Sequence, residues 1–421
     1  MKIADLVSML TVDEPPVRFI AYDGSSFGSP DAAITLELTN ERGLRYLATA
    51  HGDLGLARAY VSGDLKVHGA HPGNPYDALV ALGDWRFRRP SAKEAANLLS
   101  ELGWRNLIPP RPPEQESVPR WRRTLAGLRH SRGRDARAIG KHYDVSNDFY
   151  EHVLGPSMAY TCAVFPKSDA SLEEAQEEKF DLVARKLGLE RGMRLLDVGC
   201  GWGGMALHAA KHYGVDVIGV TLSAAQAGWG AAAVERDGLT GQVQILHSDY
   251  RDAPGTGYDA ISSIGLMEHV GVANYPAYFG FVKGKLRDGG RLLNHCITRP
   301  DNLQSALPGQ FIDRYVFPDG ELTGSGRIIT EAQNAGLEVR HEENLREHYA
   351  LTLTAWCENL VRNWDRCVAD VGEATARVWG LYMAGSRLGF ETNGIQLHQV
   401  LAAKLDAAGR SSFPLRPNWG S

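Results

Sequence analysis

Short apolar runs and longer amphipathic stretches alternate through the middle of the chain, and their periods assign the elements. The runs over 194–198, 215–220, 243–247, 259–264 and 291–297 read as buried strands. Between them the spacing predicts helices over 205–213, 224–235 and 275–286. Upstream, residues 171–187 gather Leu172, Ala175, Phe180, Leu182, Val183 and Leu187 on one side, with Glu and Lys elsewhere, the pattern of an amphipathic surface helix. Strand and helix in alternation predict an α/β fold, a doubly wound and mostly parallel sheet that binds ligands at the C-terminal ends of its strands.

The first part of the chain patterns differently. A β-like run over 33–39 and helical runs over 54–61 and 92–102 suggest a small α+β domain at 1–107. Residues 108–119 are proline-rich, which excludes helix and sheet and predicts a semi-rigid spacer. A basic run follows, from Arg120 and Trp121 through Arg137 to Lys141, so 108–140 is expected as a linker and 141–421 as the second domain. With Arg86, Arg88 and Arg89, this run offers a surface for peripheral contact with an anionic membrane, although the run taken alone is better explained as a solvated helix face and linker.

Composition narrows the class. A net charge of −5 over 421 residues gives no reason to expect a nucleic-acid partner. The five cysteines are odd in number and lack a CxxC pair, which predicts neither a disulfide framework nor a metal site and suits a reducing cytoplasm. The most apolar window, 215–234, is broken by Asp216, Ser223 and Gln226, so lipid contact is expected to be peripheral, at the inner face of the plasma membrane.

The chemistry starts at Asp197-Val-Gly-Cys-Gly-Trp-Gly-Gly204, where a strand runs into a glycine-rich turn and a helix N-terminus. A dinucleotide fold would place a carboxylate about 20 residues past the first glycine, but here the next strand ends at Thr221 and Leu222 without one. The acid sits earlier, at Asp197, and the pattern resembles motif I of class I S-adenosylmethionine (SAM) methyltransferases, with a Rossmann-like sheet. On that reading Asp197, Gly199, Gly201 and Gly203 surround the amino-acid end of SAM. Thr221, Leu222 and Gln226 meet the ribose, Asp249 and Tyr250 the adenine, and Tyr143, Tyr160 and Thr161 close over the methionine portion.

Further motifs occur in order: His142-Tyr-Asp, Tyr160-Thr-Cys-Ala, Ser263 to His269, His295-Cys-Ile-Thr298 and His348-Tyr349. Together they resemble the cyclopropane fatty acid synthase family over 140–400, and the N-terminal region resembles the extra domain of its phospholipid-acting bacterial members. The resemblance is greatest to the actinobacterial branch that makes 10-methylene stearoyl chains for tuberculostearic acid. It implies a bound bicarbonate held by Cys162, Glu268, His295, the backbone at Ile297, and Tyr349. Taken singly, each of these side chains is also a plausible core or capping residue.

The chemistry agrees with such a set. An isolated alkene is a poor nucleophile, so the SAM methyl must lie almost in contact with it in a dry site. Methyl transfer leaves a cation that must lose a proton to a base. Loss with ring closure gives a cyclopropane; a hydride shift followed by loss of a methyl proton gives an exomethylene chain, which a reductase partner would then saturate. The resemblance favours the exomethylene chain. Competing readings are a methyltransferase for a soluble small molecule and a non-catalytic lipid-binding protein. Oligomeric state is open, a homo-oligomer included.

Overall fold

The computed structural model describes residues 2–50, 52–119 and 146–420. Tyr143, His142 and the basic run Arg120–Lys141 therefore lie outside the described residues. Contacts divide the chain into two compact units. The first comprises residues 1–119 together with Gly309–Pro318 and Trp356–Leu388, two segments that chain order alone assigns to 141–421.

In the first unit, β1 (Arg18–Ala21), β2 (Ser26–Phe27), β3 (Thr35–Leu38) and β4 (Leu65–His68) form a sheet in the order β2-β1-β3-β4. Alternation puts Phe19, Ala21, Leu36 and Leu38 on one buried face, where Leu44, Tyr46, Ala59 and Trp85 complete a core. Asn40 caps the helix Glu41–Thr49 by accepting from the Gly43 N–H.

The proline-rich stretch, expected as a spacer, is tied into this unit along its described length. Tyr46 Oη donates to the Arg111 carbonyl at 2.6 Å. Glu116, with its side chain fully buried, is held by the guanidinium groups of Arg58 and Arg314. Removing that carboxylate would take the ion-pair partner from two nearly buried guanidinium groups. Glu116→Ala is therefore expected to destabilise the protein by about 3 kcal/mol or more, measured as a fall in the calorimetric unfolding temperature. An unchanged transition would remove Glu116 as a structural tie.

The second unit holds the predicted sheet. Strands β5 (Arg194–Val198), β6 (Asp216–Thr221), β7 (Val243–His247), β8 (Tyr258–Ile264) and β9 (Leu286–Thr298) fall within a few residues of their expected bounds, except that β9 is longer. Two further strands, β10 (Leu337–Asn344) and β11 (Gln396–Lys404), complete the order β10-β11-β9-β8-β5-β6-β7. β5 to β9 are mutually parallel, while β11 runs antiparallel to both β9 and β10.

Both faces are covered. Leu195, Val217 and Leu293 pack beneath Phe180, Val183 and Leu187 of the helix Leu172–Leu187. Leu196, Ile261 and Leu292 pack beneath Tyr278, Phe279 and Val282 of the helix Tyr275–Lys285. Ser171 and Glu174 form a capping box at the start of the former helix, and Gly188 ends it in the left-handed conformation. Among the described residues, no helix is long and apolar enough to cross a membrane.

Candidate functional site

The glycine turn sits at the C-terminal end of β5, beside the point where the strand order reverses between β5 and β8. Gly199, Gly201 and Gly203 have φ of +75°, +56° and +89°, a region that side chains with a Cβ rarely adopt, so the turn requires glycine at each. The helix Gly204–His208 leaves directly from it.

A cleft of about 890 Å³ opens above this turn. Of the residues expected to meet SAM, Tyr160, Thr161, Asp197, Gly199, Gly201, Thr221, Leu222, Gln226 and Tyr250 line it. Gly203 does not reach it and serves instead as the N-cap of the helix. Asp249 also stays outside the lining, its carboxylate accepting from the Arg251 guanidinium. Asp197 accepts from Ser262 Oγ at 2.7 Å, and its other oxygen is buried without a partner among the described residues. Burial pushes its pKa up to about 6, which the Ser262 bond and the Lys179 charge only partly offset.

Several lining residues were not expected. Lys179 is fully buried and donates to Thr161 Oγ1 at 2.9 Å; burial brings its pKa down to about 7. One turn earlier, Gln176 donates to the carbonyls of Ala159 and Thr161 at 3.3 and 3.0 Å. The polar side of the helix Leu172–Leu187 thus holds the 159–161 segment over the cleft, whereas its hydropathy pattern assigned Lys to solvent. Trp202 lines the cleft too, and its Nε1 donates to Asn147 Oδ1 at 2.9 Å. His208 is buried beside Phe180 and bonds Asp181.

The second predicted set lies outside the lining, behind the end of β8. The Gly265 N–H donates to the His295 carbonyl. Two residues further along β9, the Ile297 N–H donates to Glu268 Oε1 at 2.8 Å, so Glu268 already occupies that donor. Glu268 Oε2 is buried without a partner among the described residues, and burial raises the carboxyl pKa to about 7. Asn294 and Cys296 bond one another on the opposite face of the strand from His295.

His295 is paired across the sheet with Gln399 of β11, whose Nε2 lies 3.2 Å from His295 Nδ1. Lys186 fixes the orientation of that amide. Its ammonium is a pure donor and bonds Gln399 Oε1 at 2.7 Å, so the amide nitrogen must face the imidazole. Nδ1 therefore accepts, and the ring proton sits on Nε2, which is buried and has no partner among the described residues. Burial, with the positive charges of Lys179 and Lys186, holds His295 neutral.

Cys162 is buried with its thiol 3.1 Å from the Ala163 carbonyl oxygen, and burial pushes its pKa up. Tyr349 is buried with its ring 4.5 Å from that of Phe390.

Comparisons with known proteins identify the family and the fold. Residues 130–400 match the family model described as mycolic acid cyclopropane synthetase. The chain is 61% identical to the probable fatty acid methyltransferase Rv3720 of Mycobacterium tuberculosis, over 100% of this chain and 98% of that one. It is 38% identical to the cyclopropane-fatty-acyl-phospholipid synthase of Escherichia coli, over 63% of this chain and 68% of that one. The crystal structure of mycolic acid cyclopropane synthase CmaA1 with SAH and CTAB superimposes with a TM-score of 0.60 at 33% identity, covering 63% of this chain and 97% of the other. The strand order, the glycine turn and these matches together make the chain a member of the cyclopropane fatty acid synthase family, with the class I fold of a SAM-dependent methyltransferase.

Proposed function

We propose that the protein transfers a methyl group from SAM to the cis double bond of an oleoyl chain in a membrane phospholipid, and that the product is a 10-methylene stearoyl chain. The observation that carries the chemistry is that two buried atoms lack partners among the described residues: a donor at His295 Nε2 and an acceptor at Glu268 Oε2. Buried polar groups seldom stay unpaired. A bicarbonate ion would satisfy both, with His295 Nε2–H as the donor that would hold it and the Glu268 carboxylate as the acceptor. When bound, it supplies the base that removes the proton from the cationic chain.

The remaining work belongs to the protein. His295 stays neutral and presents one fixed N–H, so it offers a hydrogen bond without becoming a competing acid. Glu268 is tethered through the Ile297 N–H, which aims its second oxygen. Cys162 and Tyr349, both buried, are read as the further groups that would hold the anion. In the first step the alkene takes CH₃ from the sulfonium and SAH leaves. A hydride then shifts to the neighbouring carbon, and loss of one methyl proton places the new double bond at the added carbon. Saturation of that bond falls to a separate reductase.

The closest test is gas chromatography with mass spectrometry of fatty acids from a host fed oleate, with and without the gene. Half of each sample is hydrogenated over a mild catalyst. A new species one carbon heavier that is reduced readily supports the methylene product. A species that resists reduction makes this a cyclopropane synthase, as the Escherichia coli relative's name would suggest. No new lipid would turn attention to a soluble substrate.

A further inference from the structure

The first unit contains a cavity of its own, of about 730 Å³, that shares no residue with the cleft above the glycine turn. Leu36 and Val67 of the sheet form its floor, Leu56 and Leu79 its helical walls, and Phe311 and Leu381 close it. Among the described residues, the only polar side chains that line it are those of Tyr60 and Asp53. The Tyr60 hydroxyl is committed to the Pro72 carbonyl at 3.4 Å, and Asp53 Oδ2 accepts from the Phe311 N–H at 3.2 Å. Ordered water needs several polar partners and finds almost none here, while unfilled space between apolar side chains forfeits their dispersion contacts. The lining therefore suits a hydrocarbon occupant.

The rim adds a constraint on the other end of that occupant. Asp53 and Gly385 are exposed, and so is Leu56, at 38%. A chain entering past them sets its head group beside the Asp53 carboxylate. A free fatty acid would bring a second carboxylate to that point, whereas an esterified chain with an ammonium-bearing head group would bring a cation.

We propose that the first unit carries a lipid site of its own, which takes one acyl chain of a zwitterionic phospholipid, separate from the chain that is methylated. The proposal rests on this cavity and goes beyond the reading of the cleft.

Native mass spectrometry of the full-length protein with 1-palmitoyl lysophosphatidylethanolamine, below its micellar concentration, counts the sites. Two variants fill the cavity. Ala57→Phe does so from the wall. Gly385→Leu does so from the mouth, where a Cβ meets only Leu79 Cδ1 at 3.8 Å and is accommodated without strain. Calorimetric titration of SAM reports that the second unit is intact, so either variant suffices if the other fails to fold.

The expected result is two bound lipids in the wild type and one in each variant, with unchanged SAM affinity. One lipid in the wild type and none in the variants would keep this site and overturn the proposal that the protein takes a second acyl chain for methylation. Unchanged stoichiometry in both variants, or no lipid bound by the wild type, overturns this proposal. Shortening the probe should weaken binding to this site about fourfold per methylene. Palmitate competing as well as the lysophospholipid would overturn the assignment of the head group.

Discussion

Glu268→Gln is expected to lower turnover by roughly 10³-fold or more while leaving SAM affinity nearly intact and making the folded protein more heat-stable at pH 8. The glutamine keeps the bond from the Ile297 N–H, because its carbonyl oxygen occupies the place of Oε1. Its other atom becomes an NH₂ donor, which cannot accept the O–H of an anion beside His295.

The stability change follows from linkage. Burial raises the Glu268 pKa from 4.5 to about 7, so between those values the native state binds more protons than the unfolded state. Stability is therefore lost as pH rises through that window, and above about pH 7 the full penalty of the buried charge is present, up to roughly 3 kcal/mol. The glutamine carries none of it. Melting curves of the two proteins should coincide below pH 4.5 and separate progressively toward pH 8. A separation independent of pH would mean that Glu268 is not a buried carboxylate in the resting protein, and unchanged turnover would remove it from the chemistry.

Gln399→Glu should be nearly as damaging, through the imidazole rather than the carboxylate. A glutamate can accept the Lys186 bond as the amide does, which keeps the buried lysine paired. Facing His295, however, it accepts where the amide donated, and the ring proton moves from Nε2 to Nδ1. The wrong tautomer at a catalytic histidine costs on the order of 10²- to 10⁴-fold. Nitrogen NMR of the imidazole reads the tautomer directly, and SAM titration controls for folding. Full turnover with the proton on Nδ1 would overturn the role assigned to Nε2–H. His295 itself is read as touching the reacting anion; Gln399 and Lys186 act only through it, as positioning residues.

The parts of this design that were legible in the sequence are those with a local signature. The alternation from β5 to β9 was readable because each strand and helix carries its own period. The glycine turn was readable because three positive-φ positions in five residues admit few other residues. The motif order along the chain identified the family, and nine of the residues expected around SAM meet at one cleft.

The supporting residues had no such signature. Gln176, Lys179 and Lys186 lie on a helix whose hydropathy assigns them to water, and only the tertiary fold supplies Thr161 and Gln399 as partners. Gln399 lies more than a hundred residues from His295 in the chain, and nothing local relates the two. The 108–119 stretch reads as a spacer from its prolines, yet Glu116 is fixed by arginines from two distant segments. Asp249 ends its strand as an adenine-reading acid would, and the arginine two positions later takes its carboxylate.

The place of β11 in the sheet has a consequence for synthesis. β10 leaves the ribosome before β11, but it can join the sheet only through β11, which lies between it and β9. Until β11 emerges, β9 is an open edge lined with Leu292, Leu293 and Ile297, and open apolar edges invite pairing with other chains. His295 meanwhile has no Gln399 to set its tautomer. The nascent protein is thus both most prone to aggregate and chemically unfinished over the same interval, and insertion of one strand ends both conditions together.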